Sequence, residues 1–135
     1  MTAVLKIVDV VQATPLTLRK GERILLGIVI KQRNNDGKPT DHTMTISNEV
    51  ANAYPSDNIE NLIESNVDIS LNTNINYITK GIKGILLAHL IDTTNVLYEV
   101  GKEYTLQFKF DRDGIGEIRI AELFFNVVES KSPFI

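Results

Sequence analysis

Glu103-Tyr104-Thr105-Leu106-Gln107-Phe108-Lys109-Phe110-Asp111-Arg112-Asp113-Gly114-Ile115-Gly116-Glu117-Ile118-Arg119-Ile120-Ala121-Glu122 can be read as two folds that exclude one another. Its second half carries the acids of a calcium loop. Asp111 and Asp113 stand at positions 1 and 3, Gly116 at 6, Ile118 at 8 and Glu122 at 12, with Ile115 where the fifth-position oxygen ligand belongs. On that reading Asp111, Asp113, Glu117 and Glu122 would surround a metal ion, and amphipathic helices would flank them. The first half argues otherwise. Tyr104, Leu106, Phe108 and Phe110 alternate strictly with Thr105, Gln107 and Lys109. That spacing gathers the four on one strand face but scatters them around a helix. Gly101, just upstream, would weaken a helix there. Downstream, Leu123, Phe124, Val127 and Val128 have helical spacing, yet Ile118 and Ile120 alternate again. Asp113-Gly114 suits a hairpin turn. The expectation is a hairpin with no metal and no cofactor, its acids serving turn geometry and solubility.

The same period of two recurs along the chain. In Glu22 to Arg33 it sets Ile24, Leu26, Ile28 and Ile30 on one face. From Val67 to Ile78 it predicts one strand, with Val67, Ile69, Leu71, Ile75 and Tyr77 inward and Asp68, Ser70, Asn72, Asn74 and Asn76 outward. Ile82 to Ile91 is apolar on both faces, as in a central strand covered on both sides. Val4 to Val11 is similar, though Lys6 and Asp9 interrupt it. Asn35-Asp36-Gly37 is a further turn signal. One short helix is expected near residues 57–65, capped by Ser56 or Asp57, with Glu60 three residues past Asp57 and Ile59, Leu62 and Ile63 on one face. Many strands with one short helix predict an all-β fold, an antiparallel β-sandwich of immunoglobulin-like or jelly-roll-like type. Residues 1–135 form a single domain, with 129–135 as a C-terminal tail.

Composition narrows the function classes. A chain of 135 residues fits one domain and can bury a sufficient core without staples. With no cysteine, disulfides and thiolate metal sites are impossible. A net charge of −3, with basic residues scattered, argues against a nucleic-acid partner held through its phosphates. Lys6 and Asp9 break the apolar N-terminus, so no secretory signal is expected. The longest apolar run without a charge, about Gly84 to Ile91, is far below the ~20 residues of a membrane helix, and no membrane partner is expected. His42 and His89 have no metal-ligand spacing, and His89 reads as a hydrogen-bonded residue at a sheet face or interface. No serine sits in a nucleophile elbow. The expectation is that the chain is not an enzyme.

The stretch Leu16-Thr17-Leu18-Arg19-Lys20-Gly21-Glu22, running into Ile24 to Lys31 and Asn35-Asp36-Gly37-Lys38-Pro39, resembles the opening strands of immunoglobulin-like modules in phage virion proteins and bacterial surface proteins. Gly101-Lys102-Glu103-Tyr104-Thr105-Leu106, followed by a hairpin, resembles their closing strands. Such modules share no catalytic residues. The resemblance implies a non-catalytic structural subunit of a larger assembly: a phage virion component such as a capsid cement or decoration, tail or baseplate protein. Its partners would be other subunits, copies of itself or capsid and tail neighbours. The expected location is the virion, or alternatively the cytoplasm. The alternative function is a carbohydrate- or protein-binding surface module of bacterial origin. The residues expected to meet a partner are Phe134 and Ile135, apolar at the chain end, and the polar row Asn72, Asn74 and Asn76.

Overall fold

The computed structural model describes residues 4–8, 15–31, 46–77, 82–112 and 117–131, and nine strands run through them. They are β1 (Val4–Val8), β2 (Leu16–Arg19), β3 (Arg23–Lys31), β4 (Ile46–Pro55), β5 (Glu64–Asp68), β6 (Leu71–Tyr77), β7 (Ile82–Asp92), β8 (Glu103–Arg112) and β9 (Glu117–Val128). A four-stranded sheet in the order β1-β3-β7-β6 packs on a five-stranded sheet in the order β2-β9-β8-β4-β5. The protein is therefore an all-β sandwich. It is antiparallel except at two edges, where β1 runs parallel to β3 and β2 parallel to β9.

Both sheets contribute to one core. Tyr104, Leu106, Phe108 and Phe110 of β8 point into it, as their alternation predicts. Leu18 of β2, Ile24 and Leu26 of β3, Ala51 and Ala53 of β4, and Leu123, Phe125 and Val127 of β9 join them. Ile85, Leu87 and Ile91 of β7 stand beside those of β3 in the four-stranded sheet. Asp111 pairs with Ile118 and Arg112 with Glu117, so residues 103–122 form a hairpin between β8 and β9.

Three sequence expectations are corrected. No helix forms over residues 57–65. The amides of Asn58 and Asn61 bond to Pro55 O and Asn58 O at 2.9 and 3.1 Å, three residues back instead of four. The Asn58 side chain accepts from the Glu60 amide, and the Ile63 amide returns to Ala53 O. Asparagine offers the backbone this local alternative, and the segment becomes consecutive turns leading into β5.

Second, Val67 to Ile78 is not one strand. The chain leaves the five-stranded sheet after Asp68 and enters the four-stranded sheet at Leu71. His89 holds this crossover. Its Nε2 lies 2.7 Å from Glu64 Oε2 on β5, and its Nδ1 lies 3.1 Å from Ser70 Oγ between the strands. Ser70 Oγ also accepts from the Leu90 amide at 3.1 Å. The serine hydroxyl is thus tied to β7 itself, and the histidine joins two sheets, as a hydrogen-bonded residue at an interface.

Third, the alternation of β6 does not sort inside from outside: Asn72 is exposed as expected, but so is Leu71. Asn72 is the register partner of Leu87, which lies in the core, while Leu71 partners Ala88 on the other face. Opposed residues share a face. Alternation fixes which residues stand together but not which set is inside, and β7 offers an apolar face on both sides. Leu86 and Ala88 are buried although they point away from the core, as is Val29 opposite Leu86.

Candidate functional site

One end of the sandwich collects the turn between β2 and β3, the connection 56–63 between β4 and β5, and the connection 93–102 between β7 and β8. Backbone hydrogen bonds tie the first turn to the 93–102 connection and each segment to a neighbouring strand. The Lys20 amide donates to Val128 O at 2.8 Å, Thr93 to Glu22 O at 3.0 Å, Ser56 to Glu103 O at 3.0 Å and Gly101 to Val127 O at 2.8 Å. Side chains add to this frame. Thr93 Oγ1 accepts from the Gly21 amide at 2.8 Å and lies 2.7 Å from Glu22 O. Lys20 Nζ reaches across to Asn95 O at 2.9 Å and also donates to Tyr98 O.

The 93–102 connection is ordered by its own sequence. Asp92 Oδ1 accepts from the Thr94 amide at 3.0 Å and from its hydroxyl at 2.6 Å. These bonds, helped by Arg23 Nε at 3.4 Å, hold the Asp92 carboxyl below the usual aspartate range. Asn95 Oδ1 accepts from the Leu97 amide at 3.0 Å, and Gly101 takes φ 88°, which favours glycine. Tyr104, near the start of β8, anchors the loop from inside. Its hydroxyl accepts from the Glu99 amide and donates to Leu97 O at 3.1 Å. Its ring packs on Tyr98 and Phe125, with centroids 5.1 and 5.5 Å away.

Tyr98 is buried with its hydroxyl, which has no hydrogen-bond partner among the described residues. Burial pushes that phenol's pKa up. An unpartnered buried hydroxyl costs about 1–3 kcal/mol. Tyr98→Phe is therefore expected to leave thermal stability unchanged or raise it by a few degrees; a clear fall in melting temperature would mean that the hydroxyl has a partner.

This rigid end exposes apolar side chains. Of the nine large apolar residues exposed among the described residues, six stand here: Ile59, Leu62, Val96, Leu97, Val100 and Val128. Val96 is 83% exposed and Ile59 63%. The depression beside them, about 380 Å³, is lined by Ser56, Asp57, Gly101, Lys102 and Glu103. The other three are Leu71 on β6 and Ile118 and Ile120 on the outer side of β9. The sequence reading missed this cluster. Ile59 and Leu62 look like one face of a helix, and Val96, Leu97 and Val100 follow the core strand β7. Their signal was an apolar run inside a segment bounded by Asn95 and Gly101.

On the outer side of the five-stranded sheet, beside exposed Ile118 and Ile120, polar side chains satisfy one another. Tyr54 Oη donates to Glu122 Oε2 at 3.0 Å, Asn52 Nδ2 to Gln107 Oε1 at 3.3 Å, and the Ser56 and Thr105 hydroxyls lie 2.9 Å apart. Burial and the Glu122 carboxylate push the Tyr54 phenol up to about 12. The candidate calcium ligands are spread along this hairpin. Asp111 accepts from Asn48 Nδ2 at 2.7 Å, whereas Glu122 is held by Tyr54 and stands opposite Gln107. Gln107 and Asp111 are four residues apart on β8, about 13 Å of strand, so the first and last positions of the pattern are not brought together. Asp113 lies outside the described residues, and for Glu117 only the backbone pairing is described. Among the described residues no three of His, Cys, Asp and Glu gather in a metal-binding group.

Asn72 is exposed on β6, and Asn74 and Asn76 follow it on that strand. Phe134, Ile135 and His42 lie outside the described residues. No helix among the described residues is long and apolar enough to cross a membrane. No known family, curated protein or solved structure matches this chain.

Proposed function

We propose that the chain is a non-catalytic subunit of a larger protein assembly, docking on a neighbouring subunit through the end formed by residues 56–63 and 93–102. The observation that carries this reading is the concentration of exposed apolar residues at that end, on loops already fixed by hydrogen bonds. Scattered exposed apolar residues need no explanation, but apolar residues gathered at one place mark interaction surfaces. Loops that are ordered beforehand lose little entropy on binding.

Two features support the immunoglobulin-like form of the sandwich. Lettered in chain order, such sheets run A-B-E-D and C-F-G. The orders β1-β3-β7-β6 and β4-β8-β9 follow them, with β2 and β5 added at the edges and β1 departing in its parallel direction. Tyr104 bonds back to the backbone of the preceding corner from the start of the sixth lettered strand, in the manner of a tyrosine corner. Together with the resemblance to phage virion modules, this makes a virion component the proposed form of the assembly: a capsid decoration, tail or baseplate protein.

The test is sedimentation of the native chain from its source. The chain is expected to travel with particles far larger than its own 15.1 kDa. Recovery only as a free small protein would overturn the proposal.

A further inference from the structure

We infer that β6 is the seam of a homodimer, pairing antiparallel with β6 of a second copy about a two-fold axis at Asn74, so that two four-stranded sheets become one. Among the described residues the sandwich has four edge strands: β1, β6, β2 and β5. Exposed edges invite strand addition, and proteins blunt them with charge, shortness or bulges. Three of the four are blunted. β1 carries Lys6 at its centre, and β2 has only four residues and ends in Arg19. β5 has Glu64 and Asp68 at its ends, Asn66 at φ 50° and a register shift against β4.

β6 has none of these devices. Its seven residues, Leu71-Asn72-Thr73-Asn74-Ile75-Asn76-Tyr77, include no charge, no proline and no glycine. Its register with β7 runs unbroken over all seven. Among the described residues nothing pairs with its other side. An uncharged, regular edge of this length fits an added strand.

The sequence of β6 selects a second copy as that strand. A two-fold interface must be complementary to itself. Folded back on itself about Asn74, β6 sets Asn72 opposite Asn76, Thr73 opposite Ile75, Leu71 opposite Tyr77 and Asn74 opposite Asn74. Every asparagine then meets an asparagine, and one β-branched residue meets another. Cross-strand pairs of these kinds stabilise sheets. Only an axis at Asn74 pairs all seven residues. A foreign strand finds no charge on β6 by which to be chosen.

The inference rests on the reading of the chain as an assembly subunit, but uses a surface other than the apolar end, so the two fail separately. Light scattering of the purified chain is expected to give twice 15.1 kDa. The chain has no cysteine, so single-cysteine variants report the pairing without background. Opposed residues of an antiparallel pair lie about 4.5–5.5 Å apart at Cα, within disulfide reach. Residue 72 would stand four positions from its own copy, about 13 Å away. Asn74→Cys is therefore expected to cross-link under mild oxidation at least tenfold faster than Asn72→Cys. Asn74→Lys, which sets like charges at the axis, is expected to weaken the dimer at least tenfold. Val96→Ser with Leu97→Ser and Val100→Ser is expected to leave it intact. A monomer at every concentration, equal cross-linking at 72 and 74, or a dimer indifferent to Asn74→Lys in a folded variant would each overturn the inference.

Discussion

Replacing Tyr104 by alanine is expected to lower the unfolding free energy by about 3–5 kcal/mol, read as a fall in the urea midpoint. The side chain is fully buried and sits between the rings of Tyr98 and Phe125. Its removal opens a cavity where both sheets meet. Tyr104→Phe isolates the hydroxyl. The ring stays, but the Glu99 amide and the Leu97 carbonyl lose their shared partner. That loss is expected to cost about 1–3 kcal/mol. It should also speed amide exchange through residues 96–100 more than in the strands, because the hydroxyl anchors the loop to the core. A Tyr104→Phe variant as stable and as protected as the parent would show that the loop is held elsewhere. The contrast with Tyr98→Phe is direct. The two rings are 5.1 Å apart in one cluster, yet one hydroxyl has two partners and the other has none among the described residues.

The combined variant Val96→Ser, Leu97→Ser and Val100→Ser is expected to weaken docking on the assembly at least about a hundredfold. Apolar residues at the centre of an interface each contribute on the order of 1 kcal/mol or more, and about 3 kcal/mol corresponds to a factor above a hundred. All three are at least half exposed, so the fold should tolerate serine with little change in stability. Binding and folding therefore separate in this variant. Undiminished docking of the folded variant would place the contact on another surface; equal loss of docking and stability would make these residues part of the core.

Much of the architecture was legible in the chain because a strand with one buried face writes its orientation into a period of two. Tyr104, Leu106, Phe108 and Phe110 are the clearest case, and that alternation removed the helices a calcium loop needs. Where both faces of a strand are apolar, that period loses its meaning. β7 is apolar on both sides, so the alternation of β6 could not say which side was core, and Leu71, expected inward, is exposed. The crossover at Ile69 and Ser70 was hidden because no glycine or proline marks it and the alternation continues through it. The helix at 57–65 had a cap and an apolar face, but the Asn58 carbonyl competed for the backbone and turns formed. The exposure of the apolar end was not legible in the chain. Whether Val96, Leu97 and Val100 are exposed depends on how two distant connections, 56–63 and 93–102, meet at one end of the sandwich.

Hydrogen–deuterium exchange of the chain free and in its assembled state tests the docking end most directly. Slowed exchange is predicted across residues 56–63 and 93–102 in the assembly, while β8 and β9 keep their free rate. Unchanged exchange in those two connections, with protection appearing elsewhere, would contradict the account.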